Sequence, residues 1–525
     1  MESIFKYSTI RFQQRDYPTL HGVSFDKNET YGSCMIRVDS YENSPSPILF
    51  HFMIDVSGSM IDMTENGRTK IQLLTHTLIN MVHYFAETSQ NVFIQVKGFD
   101  DCIHNYIDTV QVTKDNVDKI VGKLAKIRPL HLTNIGLALE TMETDMKHSK
   151  ISNQVGIFLT DGDVTAGEMS ADVLVKYIPS DIPFHFIAFG SDHNPHLMHR
   201  LGHCSQYTNN WFITDIEQTG NVYGEILYNE LHRVGENVKL EIHNGRLYDY
   251  YAQEFVTTLN IGSLYAQTEK HYHVITDNAD ECFVVLKCTR CDTGEYMETK
   301  ITDLPPLLSE EQENDGIRFQ FMQPKFDLIQ YFRLATQIYL GKARKMLFQN
   351  NPSDDGCLLN ENPFIHASAK SHSIEVYIPF RAMVHEFYSI MCDHMEVHKL
   401  SDNEYMKCLC DDISILLQTL GTLAQLKYCA LREDVQGQER TGSTVTVIHD
   451  RNIEFDMILP VLSRSNTTPY RTPGRVNLMN TMSQSISDEP DQENDRALSI
   501  QIDIFPRAQH SPSPILRRRQ SQIYP

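Results

Sequence analysis

The spacing of apolar and polar residues changes along the chain and divides it into segments. Between residues 48 and 235, short apolar runs typical of buried strands alternate with segments whose apolar residues recur every three or four positions. The strand-like runs are 48–54, 92–99, 154–160, 184–190 and 209–214, and the main helix-like segments are 69–87, 134–147 and 220–233. This order predicts an α/β domain with a mainly parallel sheet between two layers of helices.

On both sides of this domain the spacing shifts to every second residue, as in half-buried strands. From 236 to 305 several such strands follow one another, and His243-Asn244-Gly245 is a hairpin-turn signal. Residues 1–47 contain shorter pieces of the same kind. We therefore predict a small antiparallel β unit at 236–305, joined by strands from 1–47, with the α/β domain of 48–235 inserted between them.

The C-terminal part of the chain contains two further types of segment. From 306 to 436 apolar residues again recur at helical spacing, which predicts an α-helical region. From 437 to 525 this periodicity fades, and Ser, Pro, Asn, Gln and Arg become frequent. The loss of periodicity and the many Ser, Pro, Asn and Gln residues predict a disordered, low-complexity tail.

Composition narrows the classes of partner and compartment. Apolar residues make up 41% of the 525 positions, enough for packed cores, and the net charge is −22. The acidic balance argues against nucleic acid and anionic membrane as partners. No apolar run approaches the roughly 20 residues of a membrane span, and the N-terminus lacks a secretory apolar region. The 11 cysteines show no framework spacing, so we expect reduced thiols in a cytoplasmic or nuclear protein.

Oxygen-bearing side chains cluster at the predicted strand ends of the α/β domain. Asp55, Ser57 and Ser59 follow the first strand at alternate positions, Thr133 precedes a helix, and Asp161 follows a central strand. Loops beyond the carboxyl ends of parallel strands meet at one edge of a sheet. Two carboxylates and three hydroxyls form an oxygen-only set, which suits Mg²⁺ or Mn²⁺ and not zinc. Such a set leaves a coordination position for an acidic side chain of a partner protein.

These residues also carry a family resemblance. The stretch from Asp55 to Ser59, the Thr133 element "TNIGLAL" and the Asp161 element "FLTDG" resemble the von Willebrand factor A domain with its metal-ion-dependent adhesion site. The resemblance covers roughly residues 48–235 and implies a six-stranded, mainly parallel sheet. It implies that Ser57, Ser59 and Thr133 bind the ion through hydroxyls, and that Asp55 and Asp161 bind it directly or through water. The whole chain resembles large intracellular A-domain proteins of protists and giant DNA viruses.

The function predicted from these features is non-enzymatic and intracellular. A bound divalent cation would capture a Glu or Asp of a partner protein. The alternative is a scaffold or assembly factor in ubiquitin or proteolysis machinery, without catalysis of its own. RNA binding is disfavoured by the acidic charge, and an enzyme by the lack of a nucleophile–base pair, P-loop or dinucleotide motif. The oligomeric state is left open.

Weaker signals have simpler structural explanations. The cluster His193, His196, His199, His203 and Cys204 has spacing that suits zinc, but a His-rich surface helix explains it better. The same holds for Cys288 and Cys291, which lack the second pair of a zinc ribbon. Asp100 and Asp101 are interpreted as a solvated hairpin turn.

The tail contains sequences that resemble proline-directed kinase sites. Thr468 and Thr472 each begin a T-P-x-R sequence, and Ser511 and Ser513 each precede a proline shortly before three arginines. A phosphate at these positions would lie beside arginine and alter what the tail binds. The alternative is an unmodified, proline-rich spacer.

Overall fold

A computed structural model describes residues 5–487 of the chain, with gaps. The gaps are residues 6–7, 13–16, 24, 27, 39–46, 64–67, 89–90, 130–131, 162–163, 190–194, 214–215, 303–324, 351–376, 421–428, 430–431, 433–434 and 438–471. The strands are β1 Thr9–Phe12, β2 Thr30–Arg37, β3 Ile48–Asp55, β4 Val92–Phe99, β5 Ile103–Gln111, β6 Asn153–Thr160, β7 Phe184–Phe189, β8 Thr208–Ile213, β9 Arg233–His243, β10 Arg246–Asp249, β11 Glu254–Val256, β12 Thr258–Tyr265, β13 Glu269–Thr276, β14 Phe283–Arg290 and β15 Tyr296–Ile301. The helices are α1 Lys70–Glu87, α2 Val117–Leu124, α3 Ile135–His148, α4 Ala171–Leu174, α5 Pro195–Gly202, α6 Ile216–Leu231, α7 Phe326–Asn350, α8 Ile378–Val397, α9 Glu404–Thr419 and α10 Pro473–Ser487.

The central sheet has six strands in the order β5-β4-β3-β6-β7-β8. All neighbours are parallel except β4 and β5, which form an antiparallel pair. The predicted mainly parallel sheet is therefore confirmed. Strand β3 lies at its centre and is buried along its whole length, which explains its continuous apolar run.

Helices cover both faces of this sheet. On one face, alternate residues of β3 such as Phe50 and Phe52 pack against α1 and α6. On the other face, Met53 and Phe158 pack against α3 and α5. The strands therefore contribute side chains to two cores, one on each face of the sheet, as a sheet covered by helices on both sides requires.

Two antiparallel sheets form the β unit. One has the order β1-β2-β13-β10-β11, and the other β12-β9-β14-β15. Strand β2 pairs with β13 along its full length, from Arg37 opposite Glu269 to Thr30 opposite Thr276. The N-terminal strands and the strands after the central sheet thus share one sheet.

The turn at Asn244 does not close a hairpin, so that prediction was wrong. Asn244 has the positive φ of 55° that such turns favour. However, the strand before it pairs with β12 and β14, while the strand after it pairs with β11 and β13. The turn instead moves the chain from one sheet to the other. The local sequence sets the turn, and the apolar faces of the two sheets decide the pairing.

The C-terminal helices α7, α8 and α9 share a core with the five-stranded sheet. Phe332 of α7 and Phe387 of α8 belong to the same buried cluster as Tyr31 of β2 and Ile275 of β13. Arg333, fully buried on α7, donates to the carbonyl oxygen of His271 at 2.8 Å. The α-helical region therefore rests directly on the β unit.

Helix α10 lies in the segment for which the sequence predicts no regular structure. It packs against α6 and α1, and it buries Leu478, Met479 and Met482. Leu478 and Met482 join the core on that face of the central sheet. Apart from this helix and Thr472, which precedes it, the segment 438–525 lies outside the described residues.

We expect His273 to make the β unit sensitive to acid. It is buried in β13, and its Nδ1 lies 2.8 Å from the hydroxyl of Tyr31. Burial lowers the pKa of His273 well below its usual value, and the charges of Arg333 and His271 lower it further. Below about pH 6.5 the unfolded chain takes up a proton that the folded chain refuses. His273 should therefore cost up to about 1.4 kcal/mol of unfolding free energy for each pH unit below 6.5.

Urea unfolding of wild type and His273→Gln between pH 7 and pH 5 measures this effect. The slope of unfolding free energy against pH should be smaller for His273→Gln, whatever its stability at pH 7. His83→Gln, at an exposed position of α1, should keep the slope of wild type. Equal slopes of unfolding free energy against pH for wild type and His273→Gln would contradict this prediction.

Candidate metal centre

The carboxyl ends of two neighbouring strands bring Asp55 and Asp161 together. Asp55 is the last residue of β3, and Thr160 is the last residue of the adjacent parallel strand β6. The Thr160 hydroxyl donates to Asp55 Oδ2 at 2.7 Å. Asp161 follows Thr160 directly, so both carboxylates lie at one edge of the sheet, and both are fully buried, at 0% and 1% exposure.

The loop after β3 folds back over this edge. The Ser57 backbone N–H donates to Asp55 Oδ1 at 2.8 Å, and a short 3-10 turn spans Gly58–Ile61. The hydroxyls of Ser57 and Ser59 lie 3.1 Å apart. Ser59 Oγ donates to Asp161 Oδ1 at 2.7 Å. Four of the five predicted ligands are thus joined in one hydrogen-bonded network.

Thr133 is tied through its backbone to the loop that follows Asp161. The Thr133 carbonyl accepts from the backbone N–H groups of Thr165 at 3.0 Å and Ala166 at 3.1 Å. Its own N–H donates to the Thr165 hydroxyl at 2.8 Å. Thr133 is buried, and the hydrogen bonds described for it are made by its backbone. Asn134 then caps α3 by accepting from the N–H of Leu137 at 3.1 Å.

Lys70 belongs to the same cluster, although the sequence pattern did not single it out. Its Nζ donates to Asp161 Oδ2 at 2.6 Å, and the residue is only 7% exposed. Asp62, at the mouth of the loop, lies 3.8 Å from the same nitrogen. A signal was present in the sequence, because Lys70 is the first residue of α1, where the helix dipole disfavours a positive charge. A cation at such a position needs a nearby anion.

The two buried carboxylates repel each other. Burial and the charge of Asp161 raise the pKa of Asp55 to about 6, although hydrogen bonds from Ser57 and Thr160 oppose this rise. The hydrogen bonds described for Asp55 come from neutral donors, whereas Asp161 is paired with the Lys70 ammonium. Buried charges in proteins are usually paired or coordinate metals. The oxygen-only donor set and the unbalanced charge of Asp55 fit a hard divalent cation.

Asp100, which directly follows the neighbouring strand β4, anchors the loop that contains Thr133. Its carbonyl accepts from the N–H of Asn134 at 2.9 Å, which anchors the Thr133 loop. Its side chain accepts from the N–H of Cys102 at 2.7 Å and from His104 Nε2 at 2.9 Å. The predicted hairpin is present, but Asp100 is buried in it, and only Asp101 and Cys102 are exposed. The solvated-turn interpretation therefore holds for Asp101 alone.

The described parts of the histidine and cysteine clusters do not assemble a zinc site. The ring of His203 stacks on Tyr251 with centroids 5.2 Å apart, and Cys204 donates to the Thr208 hydroxyl at 3.9 Å. His193 and the side chains of His196 and His199 lie outside the described residues. Cys288, buried in β14, and Cys291, which follows that strand, are both free thiols.

Of the four tail positions proposed as kinase sites, the structure describes Thr472. This residue is buried, and its hydroxyl accepts from the N–H of Arg475 at 3.4 Å, in the first turn of α10. Access of a kinase to Thr472 would therefore require α10 to leave its place. Thr468, Ser511 and Ser513 lie outside the described residues.

Comparison with known proteins agrees with this fold. Residues 51–225 match the model of the von Willebrand factor type A domain. The chain contains a von Willebrand factor type A domain. Domains of this family, called A domains below, commonly mediate protein–protein interactions. No curated protein matches the sequence.

Several solved structures resemble the chain at low identity. A von Willebrand factor type A protein from Catenulispora acidiphila is 12% identical, with a TM-score of 0.42, over 67% of this chain and 83% of that one. The ArnB paralog VWA2 from Sulfolobus acidocaldarius is 15% identical, with a TM-score of 0.44, over 82% of this chain and 99% of that one. A third structure is proximal thread matrix protein 1 from the mussel byssus, with a zinc-occupied adhesion site. It is 16% identical, with a TM-score of 0.29, over 37% of this chain and 47% of that one.

The structure also bears on the question of membrane spans. Within the described ranges, no helix combines the length and the hydropathy needed to cross a membrane.

Proposed function

We propose that the A domain binds a divalent cation, Mg²⁺ or Mn²⁺, and through it captures a Glu or Asp side chain of a partner protein. The ligands would be Asp55, Ser57, Ser59, Thr133 and Asp161. The observation that carries this proposal is the hydrogen-bonded network from Asp55 through Ser57 and Ser59 to Asp161. When bound, the cation supplies a Lewis-acidic position that accepts a carboxylate oxygen.

The side chains of the network are suited to this role. Serine and threonine hydroxyls are neutral, so they offer oxygen atoms without neutralising the cation. Asp55 is held by the N–H of Ser57 and the hydroxyl of Thr160, which orient both of its oxygens. Because these partners are backbone or buried groups, the network is preorganised, which lowers the conformational cost of binding.

The strands and loops around the site also fit an interaction module. Ser59 is partly exposed, while Asp55 and Asp161 lie beneath it. A partner side chain would approach past Ser59 at the sheet edge and need not enter the core. Nothing in this arrangement requires turnover, so we propose binding without catalysis.

Metal-dependent capture tests the proposal. Tagged wild-type protein in Mg²⁺ is compared with wild type in EDTA and with Thr133→Ala in Mg²⁺, and captured proteins are identified by mass spectrometry. Partners of the site should be lost from both EDTA and Thr133→Ala samples. Titration calorimetry with Mg²⁺ and Mn²⁺ on the same proteins should show binding that Thr133→Ala weakens by at least about tenfold, since loss of a residue that merely supports a metal ligand already costs about 10- to 100-fold.

The choice of the altered residue and of the control variant makes the comparison specific to the metal site. Thr133 is preferred to Asp161 as the altered residue, because loss of Asp161 would also leave the Lys70 ammonium without its buried partner. Thr144→Ala is the matched control, since Thr144 lies on the exposed side of the same helix, α3. It should capture the same proteins as wild type. An identical set of captured proteins in all samples, together with unchanged calorimetry, would disprove the proposed function.

A further inference from the structure

Lys70 brings a positive charge into direct contact with the proposed metal ligands. Its Nζ lies 2.6 Å from Asp161 Oδ2, and the two side chains are 8% and 0% exposed. The start of α1 is held in place by a capping box, in which Thr69 and Gln72 bond each other through side chain and backbone. The Lys70 N–H also donates to the carbonyl of Asp62 at 3.1 Å. The ammonium is therefore positioned by the fold and is not a freely moving surface charge.

The two oxygens of Asp161 have different partners. Oδ1 accepts from Ser59 and faces the serine hydroxyls, whereas Oδ2 accepts from Lys70. Lys70 thus occupies the side of the carboxylate that points away from the hydroxyl ligands. It can keep this bond while Oδ1 serves as a ligand, so its charge is a lasting part of the site.

Counting charges shows what Lys70 changes. Among the buried side chains of the site, Asp55 and Asp161 contribute two negative charges and Lys70 one positive charge, so these three groups together carry one negative charge. Asp62 is not counted, because its side chain is 62% exposed and its charge is screened by solvent. A divalent cation turns the charge of the three groups into one positive charge, and a single carboxylate from a partner then balances it. Without Lys70, the cation alone would balance the two aspartates, and a partner carboxylate would add an unbalanced negative charge.

We propose that Lys70 determines the specificity of the site by weakening cation binding and strengthening capture of one acidic side chain. This inference rests on the metal-dependent function proposed above. It makes cation and carboxylate binding mutually supportive, because each relieves an imbalance that the other creates. Lys70 acts through Asp161 and through its charge, so it is a positioning residue and not a metal ligand.

The proposal predicts opposite changes in two affinities. In a partly buried site, one unit charge a few ångströms away changes an ionic affinity by about tenfold or more. Lys70→Met should therefore bind Mn²⁺ about tenfold more tightly than wild type and bind a carboxylate ligand about tenfold more weakly. A purely structural role for Lys70 predicts weaker binding of both.

Two titrations test these changes. Calorimetry with Mn²⁺ gives the cation affinity of wild type, Lys70→Met and Lys70→Gln. The Mn²⁺-loaded proteins are then titrated with the acetylated, amidated tripeptide Gly-Glu-Gly and with its Gly-Gln-Gly counterpart, followed by protein NMR shifts. Lys147→Met is the matched control, because Lys147 pairs with Glu143 at the exposed end of α3. It should behave as wild type in both titrations.

The outcomes separate the two proposals. The inference is supported if both Lys70 variants bind Mn²⁺ more tightly than wild type and bind the Glu peptide more weakly. Unchanged affinities, or a loss of both in variants with the wild-type circular dichroism spectrum, would overturn it while leaving the metal site in place. If wild type binds no Mn²⁺, or if Thr133→Ala binds it equally well, the proposed function itself fails. Lys70→Gln guards against misfolding, since its amide retains a hydrogen-bond donor for Asp161.

Discussion

Asp161→Ala is expected to lower the free energy of unfolding by about 3 kcal/mol when measured in EDTA. The reason is Lys70, whose ammonium is buried and donates to Asp161 at 2.6 Å. Removal of one partner of a buried ion pair leaves the other charge uncompensated, which typically costs 3–5 kcal/mol. The lower end of that range applies, because Asp62 offers Lys70 a second carboxylate at 3.8 Å and because Asp55 is freed from repulsion by Asp161. Urea denaturation followed by circular dichroism measures the loss.

The double variant Lys70→Met, Asp161→Ala identifies the cause. With both charges removed, no uncompensated ion remains, so about half of the lost stability should return. Asp62→Asn, which alters only the exposed and more distant partner, should change stability by less than about 0.5 kcal/mol. If the double variant is less stable than Asp161→Ala by the full cost of Lys70→Met alone, the two side chains do not interact and the ion pair is unimportant.

The sheet and most of the candidate site were predictable from local patterns together with the order of strands and helices along the chain. A fully buried parallel strand must be apolar along its length, and residues 48–54 show this directly. The alternate spacing of Asp55, Ser57 and Ser59 marks the loop that follows such a strand. Asp161 stands next to Asp55 in space because β6 is the parallel neighbour of β3, a relation that the βα order implies but no single segment contains.

The role of Lys70 and the effect of the Asn244 turn were harder to predict from the sequence, for different reasons. A lysine in the first turn of a helix suggests a nearby anion, but the sequence does not say which carboxylate the fold places beside it. Here that is Asp161, ninety-one positions away along the chain. At Asn244 the turn residues indicate a reversal of direction. However, β9 pairs with β14 and β10 pairs with β13, and these partner strands lie elsewhere in the sequence. Both cases depend on contacts between distant segments, which local spacing does not encode.

Helix α10 shows how a neighbouring surface can stabilise a helix with a weak sequence signal. Its sequence is mostly polar, and its buried apolar side chains are Leu478, Met479 and Met482. The backbone of α10 meets α6 at Gly224, where an added Cβ would lie 2.6 Å from the Cα of Met479. The glycine lets the two helix backbones approach closely. A helix this short is marginal alone in water, so its stability comes from this contact.

Met479→Asp is therefore expected to detach α10 from the A domain. Met479 is 2% exposed, and its backbone lies against Gly224 of α6. Loss of its buried side chain and burial of a carboxylate in its place should cost about 4 kcal/mol, enough to leave α10 mostly undocked. Undocking would expose apolar surface of α6, including Tyr228, whose ring lies against Gly474 of α10. Hydrogen exchange of the intact protein, read by mass spectrometry, should show loss of protection in 473–487 and in the facing part of α6.

The neighbouring position provides the control. Asn480→Asp places the same charge one residue along the helix, but Asn480 is exposed, so protection should match wild type. Arg475, buried 3.8 Å from Glu225 of α6, should add to the anchoring. Unchanged protection in Met479→Asp would mean that α10 is held by these polar contacts and not by its apolar face. Loss of protection confined to Met479→Asp would establish that the A domain uses a distant segment of the chain to complete its core, and that Thr472 becomes accessible only when this helix leaves.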